Sequence, residues 1–122
     1  MTDLLFAGLK ATLKISTDSW VIGGDFNASE TFDEWKGGPR GNREYLDRMA
    51  SLNLVECLRQ YQGKLTPTFQ NTSNGEIKHQ MDHMFVDQKL GQSLITCITG
   101  KQEYIFDSKL SDHLPIIAEF KA

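Results

Sequence analysis

Three short stretches carry the side chains suited to acid–base or metal chemistry. They are Gly23-Gly24-Asp25-Phe26-Asn27, Gln80-Met81-Asp82-His83 and Ser111-Asp112-His113-Leu114-Pro115. Each borders an apolar, strand-like run: Trp20-Val21-Ile22 leads into the first, Met84-Phe85-Val86 follows the second, and Ile116 to Phe120 follows the third. Acid-bearing clusters at strand ends, far apart in sequence, read as one site assembled by folding.

In an extended segment, alternate side chains share a face. Gln80, Asp82, Met84 and Val86 then lie together, with His79, Met81, His83 and Phe85 opposite. Asp82 is thus a carboxylate on a largely apolar face, where an unpaired charge is costly or takes up a proton. A partner is expected, and His113 is the choice, because a buried carboxylate fixes an imidazole's tautomer and raises its basicity. The plainer use of Asp82 is to close a turn or accept backbone amides.

Asp25 is suited to take a proton from an attacking water and Asn27 to donate to a developing anion. Gly23 and Gly24 let a ligand approach the backbone. A plain Asx-turn is the alternative use of Asp25 and Asn27. Asp112 is a hard oxygen donor of the kind Mg²⁺ takes, alongside waters and substrate phosphate. His79-x-x-x-His83 has the spacing of a helical zinc pair. On a strand those positions stand about 13 Å apart, which disfavours zinc. Lys36, Arg40 and Arg43 follow Asp25 on a Gly-rich loop and could contact phosphates. Trp35 and Tyr45 could stack on a base or sugar. A solvated surface and ordinary packing are the plainer readings of these five.

Elements to position these groups are legible along the chain. Thr2 or Asp3 can cap a helix to about Lys14, with Leu5, Leu9 and Leu13 on one stripe. A strand is expected over Trp20 to Gly23 and a loop over 28–41. Asn42 reads as the N-cap of a helix to about Leu52 whose apolar face is Tyr45, Leu46, Met49 and Leu52. Leu54 to Tyr61 is ambiguous between helix and strand. Thr66 to Phe69 and Lys78 to Val86 flank Asn74-Gly75 and predict a hairpin. Leu94 to Thr99 and Ile116 to Phe120 read as further strands.

At 122 residues the chain is a single domain, able to bury roughly two thirds of its unfolded surface. A net charge of −3 offers no global basic field to attract nucleic acid, although a metal ion can supply positive charge locally. Cys57 and Cys97 lack metal-site spacing and read as reduced, buried thiols. No segment approaches the ~20 apolar residues of a membrane span. No signal peptide is evident at the N-terminus. The expected location is cytoplasmic.

Taken in order, Gly24-Asp25-Phe26-Asn27, Gln80 to Val86 and Ser111 to Pro115 resemble the endonuclease/exonuclease/phosphatase superfamily. These are metal-dependent phosphoesterases typified by pancreatic-type deoxyribonuclease and apurinic/apyrimidinic endonucleases. Pro67-Thr68-Phe69 also looks like the bacterial members, and the resemblance runs from about Leu4 to Phe120. It implies in-line hydrolysis of a phosphate ester with Mg²⁺ or Mn²⁺. By the same resemblance Asp25 orients or deprotonates the water, and Asn27 helps hold the scissile phosphate. Asp82 pairs with His113, which contacts the phosphate, and Asp112 lies at the metal. His83 stands where the family often has Tyr.

The implied fold class is α/β: half of a four-layer α/β/β/α sandwich, one mostly antiparallel sheet with helices on one face. The motifs belong to the family's C-terminal half. The metal-binding Glu of the N-terminal half has no counterpart here, since Asp3 and Asp18 have no motif around them. Residues 1–122 are therefore expected to form one half-domain, weak or inactive without the other half. A sheet backed on one side only would expose an apolar face. A homodimer packing sheet on sheet, or a separate N-terminal-half chain, is expected to cover it. A non-catalytic interaction module retaining the fold is the alternative. Nucleic acid, inositol phosphate, lipid and nucleotide all remain open as substrates.

Overall fold

The computed structural model describes residues 3–15, 18–34 and 42–122. Along the chain come α1 (Asp3–Ile15), β1 (Val21–Asp25), a 3₁₀ turn (Glu30–Glu34), α2 (Asn42–Ser51), β2 (Val55–Glu56) and α3 (Cys57–Gln62). β3 (Phe69–Gln70), β4 (Ile77–His79), β5 (Asp82–Val86), α4 (Gln88–Gln92), β6 (Leu94–Thr99), α5 (Gln102–Ile105) and β7 (Ile116–Phe120) follow.

Side-chain caps set most of the boundaries. Asp33 accepts the Asn42 and Arg43 amides at 3.2 and 2.9 Å, so the capping acceptor at the start of α2 comes from the preceding turn rather than from the Asn42 side chain. Asn42 is instead the first helical residue and accepts the Ser29 amide. Glu56 caps α3 through the Leu58 and Arg59 amides, and Gly63, at φ 74°, closes that helix in the left-handed region. The ambiguous stretch from Leu54 to Tyr61 is thus both things, a two-residue strand followed by a helix. Asp87 caps α4 through Leu90 and also accepts the Trp20 amide at 2.6 Å, tying that helix to the entry of β1.

All strand pairings among the described residues are antiparallel, and they fall into three ladders: β1–β5–β2, β3–β4 and β6–β7. Asn74-Gly75 does turn the β3–β4 hairpin, with Gly75 at φ 73°. The strand expected from Lys78 to Val86, however, breaks at Gln80-Met81. Residues before the break pair with β3, and those after it pair with β1 and β2.

β5 has no solvent face along most of its length. On one side Phe85 joins Tyr45 and Met49 of α2, with Ala28, Leu54, Phe26 and the α1 residues Leu9 and Leu13. On the other, Val86 and Met84 meet Cys57 and Leu58 of α3, Cys97 of β6, and Ile116, Ala118 and Phe120 of β7. Each such fully buried aliphatic or aromatic side chain is worth about 1.5–3 kcal/mol. Residues of β6–β7 thus pack beside Met84 and Val86, while Val21, the register partner of Val86, stays exposed with Ile95, Ile98 and Ile117. Ile98 and Ile117 are themselves register partners. Both cysteines are free and buried. No helix among the described residues is long and apolar enough to cross a membrane.

Gly100, just past β6, donates its amide to the Pro115 carbonyl at 2.9 Å. A β-carbon at position 100 would stand 2.8 Å from the Pro115 ring. Gly100→Ala should therefore destabilise the fold by about 1–3 kcal/mol through overpacking. Urea unfolding would measure it, and an unchanged midpoint would contradict this close approach.

Candidate active site

The last residue of β1 and the first of β5 are direct register partners: Asp25 faces Asp82. Directly opposed side chains of an antiparallel pair share a face, and like charges there repel. An imidazole stands against this pair. His113 Nδ1 lies 2.8 Å from Asp82 Oδ2, a hydrogen bond in which the ring donates. On its other edge, Nε2 lies 3.8 Å from Asp25 Oδ2 and 3.9 Å from Asp112 Oδ1. Solvent access grades outward: Asp82 is 16% exposed, His113 27%, Asp25 41% and Asp112 49%.

The backbone around His113 is held to β3. Gln70 donates its amide to the Asp112 carbonyl at 2.9 Å, and Leu114 donates to the Thr68 carbonyl at 2.8 Å. Phe69 and His113 form a bridge between the segments, with their rings 5.1 Å apart. Ser111 Oγ accepts the His113 amide at 3.0 Å. On the other strand, Asp25 Oδ1 accepts the Asn27 amide at 2.8 Å, so the Asx-turn is made. Gly24 at φ 148° and Asn27 at φ 49° allow that exit. The turn and the approach to His113 use different oxygens of Asp25. Asn27 is exposed.

Burial of the His113 ring lowers its pKa. The hydrogen bond and charge of Asp82, then the charges of Asp25 and Asp112, outweigh that effect, and the net displacement is upward. Ligand atoms of Asp25, Asp82 and His113 lie within 4.8 Å of one another, a convergence able to hold a cation. Asp112 lies outside that set and lines a neighbouring cleft of about 590 Å³ with Gln70, Asn71, Phe106, Lys109 and Ser111. A smaller hollow of about 250 Å³ opens beside Gly24, Asp25, Asp82, Leu114 and Pro115.

The other sequence candidates have separate duties. His83 is buried on the far side of β5, where Nε2 donates to the Ala28 carbonyl at 2.7 Å and the ring stacks on Phe85. His79 bonds the Thr31 hydroxyl at 2.6 Å and packs on Phe32. The two histidines thus serve different partners. Tyr45 packs against Phe26, His83 and Phe85 as a core residue, and burial pushes its hydroxyl well above the usual tyrosine range. Arg43 lies 3.5 Å from Glu30, which also pairs with Arg59. Lys36, Arg40 and Trp35 lie outside the described residues.

Thr68 and Gln80, both named from the sequence, have supporting roles that the sequence did not reveal. Thr68 Oγ1 accepts the Met81 and Asp82 amides at 3.0 and 3.1 Å, and Gln80 Nε2 donates to the Asp82 carbonyl at 3.2 Å. Thr68 follows Thr66 by two residues, and nothing in the sequence says which hydroxyl would serve in this way.

No family model matches the sequence, and no curated protein matches it. Solved structures do. The 3′ phosphatase NExo from Neisseria, bound to a product DNA hairpin, superposes with a TM-score of 0.81 at 18% identity, over 97% of this chain and 51% of that one. An AP endonuclease from Archaeoglobus fulgidus gives 0.72 at 19% identity, over 98% and 53%. The endonuclease domain of TRAS1, a telomere-specific non-LTR retrotransposon, gives 0.69 at 16% identity, over 98% and 52%. The fold is the one that these phosphatase and endonuclease structures share over about half of their length. At these identities the likeness is one of fold, and the chain spans about half the length of the structures it matches. Within this nuclease-like fold, Asp25, Asp82, Asp112 and His113 gather at the ends of β1 and β5 and the entry to β7.

The folded His113 pKa lies above its ordinary value of 6.5. Its pairing with Asp82 therefore contributes stability that is fully present below that value and is lost as pH rises through the folded midpoint. The stability difference between wild type and Asp82→Asn should be larger at about pH 6 than at about pH 9. The His113 ring titration should move down in Asp82→Asn. Urea unfolding at both pH values and NMR of the ring protons would measure this; a difference that grows with pH would refute it.

Proposed function

We propose that the chain carries the catalytic centre of a metal-dependent phosphoesterase acting on phosphodiesters of nucleic acid. The observation that carries this reading is the site's charge balance. Three carboxylates surround one imidazole, which leaves a net charge of −2 even with His113 protonated. Alone, that site would repel a phosphate; a divalent cation restores neutrality. The donor chemistry fits Mg²⁺ or Mn²⁺. Asp112 and Asp25 offer hard, solvent-facing oxygens on the same edge of His113, while one Asp82 oxygen is engaged by the ring.

Asp112 would hold the ion at the outer edge of the His113 ring, which leaves the free oxygen of Asp25 for the attacking water. A bound Mg²⁺ or Mn²⁺ supplies Lewis-acid polarisation of a phosphoryl oxygen. Asp82 fixes His113 with Nδ1–H toward itself, so Nε2–H can donate to a non-bridging phosphate oxygen and stabilise charge that builds in the transition state. Asp25 takes the proton of the attacking water through the oxygen left free by its turn; as the new P–O bond forms, the ester P–O bond in line with it breaks, and the leaving alkoxide takes a proton from solvent. Asn27 donates its side-chain amide to the phosphate. The nucleic-acid assignment is supported by neighbours described as a 3′ phosphatase bound to a DNA hairpin and as AP endonucleases.

Because the chain spans about half of those structures, we treat residues 1–122 as one half-domain. Full activity is expected only with a complementary half. Cleavage of a labelled DNA duplex and of a phosphomonoester should be assayed with Mg²⁺ or Mn²⁺, with and without a family N-terminal half. Where wild type cleaves, His113→Ala should lower the rate by about 10²–10⁴-fold. A rate unaffected by His113→Ala would sink the catalytic assignment.

A second reading, a non-catalytic assembly module, is favoured by the exposed Val21, Ile95, Ile98 and Ile117. Under it the chain self-associates through that surface or takes up a partner half. Light scattering across micromolar concentrations should then report a dimer that Ile98→Asp dissociates. A monomer at every concentration would reject self-association.

A further inference from the structure

Thr68 precedes β3 and is fully buried. Its backbone N–H donates to the His79 carbonyl at 3.0 Å, and its carbonyl accepts the Leu114 amide at 2.8 Å. Its hydroxyl accepts two further amides, Met81 at 3.0 Å and Asp82 at 3.1 Å. Those amides lie where the chain leaves the β3–β4 ladder and enters β1–β5–β2, the step at which the expected long strand breaks. A hydroxyl has two acceptor lone pairs, and both are used here.

This bonding reaches both members of the Asp82–His113 pair. The hydroxyl fixes the backbone of Asp82 itself, and the carbonyl fixes the residue after His113. The two segments are 31 residues apart, yet a single residue bonds to both, beside the Gln70–Asp112 bond and the Phe69–His113 bridge. A β-branched residue suits the task, because its χ1 angle is stiff and the hydroxyl is held in one direction. Gln80, buried beside it, adds bonds from its amide to the Asp82 carbonyl and from the Thr66 amide to its own carbonyl, each at 3.2 Å.

We infer that Thr68 is the positioning residue of the Asp82–His113 dyad, holding the carboxylate and the imidazole at hydrogen-bond distance through its hydroxyl and its carbonyl. The catalytic meaning of this role rests on the phosphoesterase reading. The positioning itself does not, and the experiment separates them.

In wild type, an NMR spectrum should show a downfield Nδ1–H resonance of His113 hydrogen-bonded to Asp82. Thr68→Ser keeps the acceptor and should keep the signal. Thr68→Val keeps the shape without the acceptor and should lose the signal or shift it upfield. In any assay where wild type cleaves, Thr68→Val should lower kcat about 10- to 100-fold with KM little changed, as expected for a small misplacement of catalytic groups. Thr68→Ser should restore most of the rate. A folded Thr68→Val with an unchanged Nδ1–H signal would overturn the inference. Amide exchange in wild type gives a test that requires no variant to fold: Met81 and Asp82 should be as protected as the amides of β5, and fast exchange at both would also overturn it. Loss of the signal in Thr68→Val, with no cleavage by wild type under any condition, would leave the positioning intact and reject the phosphoesterase reading.

Discussion

Two carboxylates face each other across the β1–β5 ladder, and much of the structure is arranged so that they can. The register that puts Asp25 opposite Asp82 is the same register that packs Ile22 beside Phe85 and sets Gly23 beside Met84. A slip of one residue would turn every side chain of β5 to its opposite face, exchanging Phe85 for Val86 in two differently shaped cores. Hydrophobic packing therefore locks a pairing that electrostatics alone disfavours. The relief comes from a distant segment, which brings His113 to the outer edge of the pair.

That relief is local in a useful way. Asp82, the more buried carboxylate, receives the hydrogen bond, while Asp25 and Asp112 stay open to water on the far edge of the ring. A rigid, enclosed contact thus backs a solvent-facing one. Rigidity comes from β5, which is packed against helices on one side and against β6–β7 on the other. Groups at the end of such a strand inherit its fixed geometry, and a preorganised site needs little rearrangement when a substrate arrives.

Much of this was legible in the residues. Asp82 required a partner because alternation put its charge on an apolar face, and His113 was the titratable group at another strand mouth. The turn at Asn74-Gly75 and the strands at Leu94 and Ile116 followed from β-branched runs and Gly chemistry. The break at Gln80-Met81 was not legible, because alternation says nothing about a backbone whose amides are taken by a hydroxyl from residue 68. The capping of α2 from Asp33 was hidden for a similar reason, since Asn42 looked sufficient by itself. How far β6–β7 packs beside β5 was not legible either, because local pattern does not say which distant strands meet.

The order in which the site's parts occur along the polypeptide has a consequence for how the chain matures. As synthesis proceeds, Asp25 and then Asp82 emerge and can pair through β1 and β5 well before residue 113 exists. Until then the nascent ladder carries two opposed acids with no counter-charge, and the face of β5 bearing Met84 and Val86 lacks the β7 residues that cover it. The same later segment supplies the imidazole and the β7 residues of the second core. Until it arrives, the opposed carboxylates lack their counter-charge and Met84 and Val86 lack their β7 neighbours, so one stretch of chain settles both.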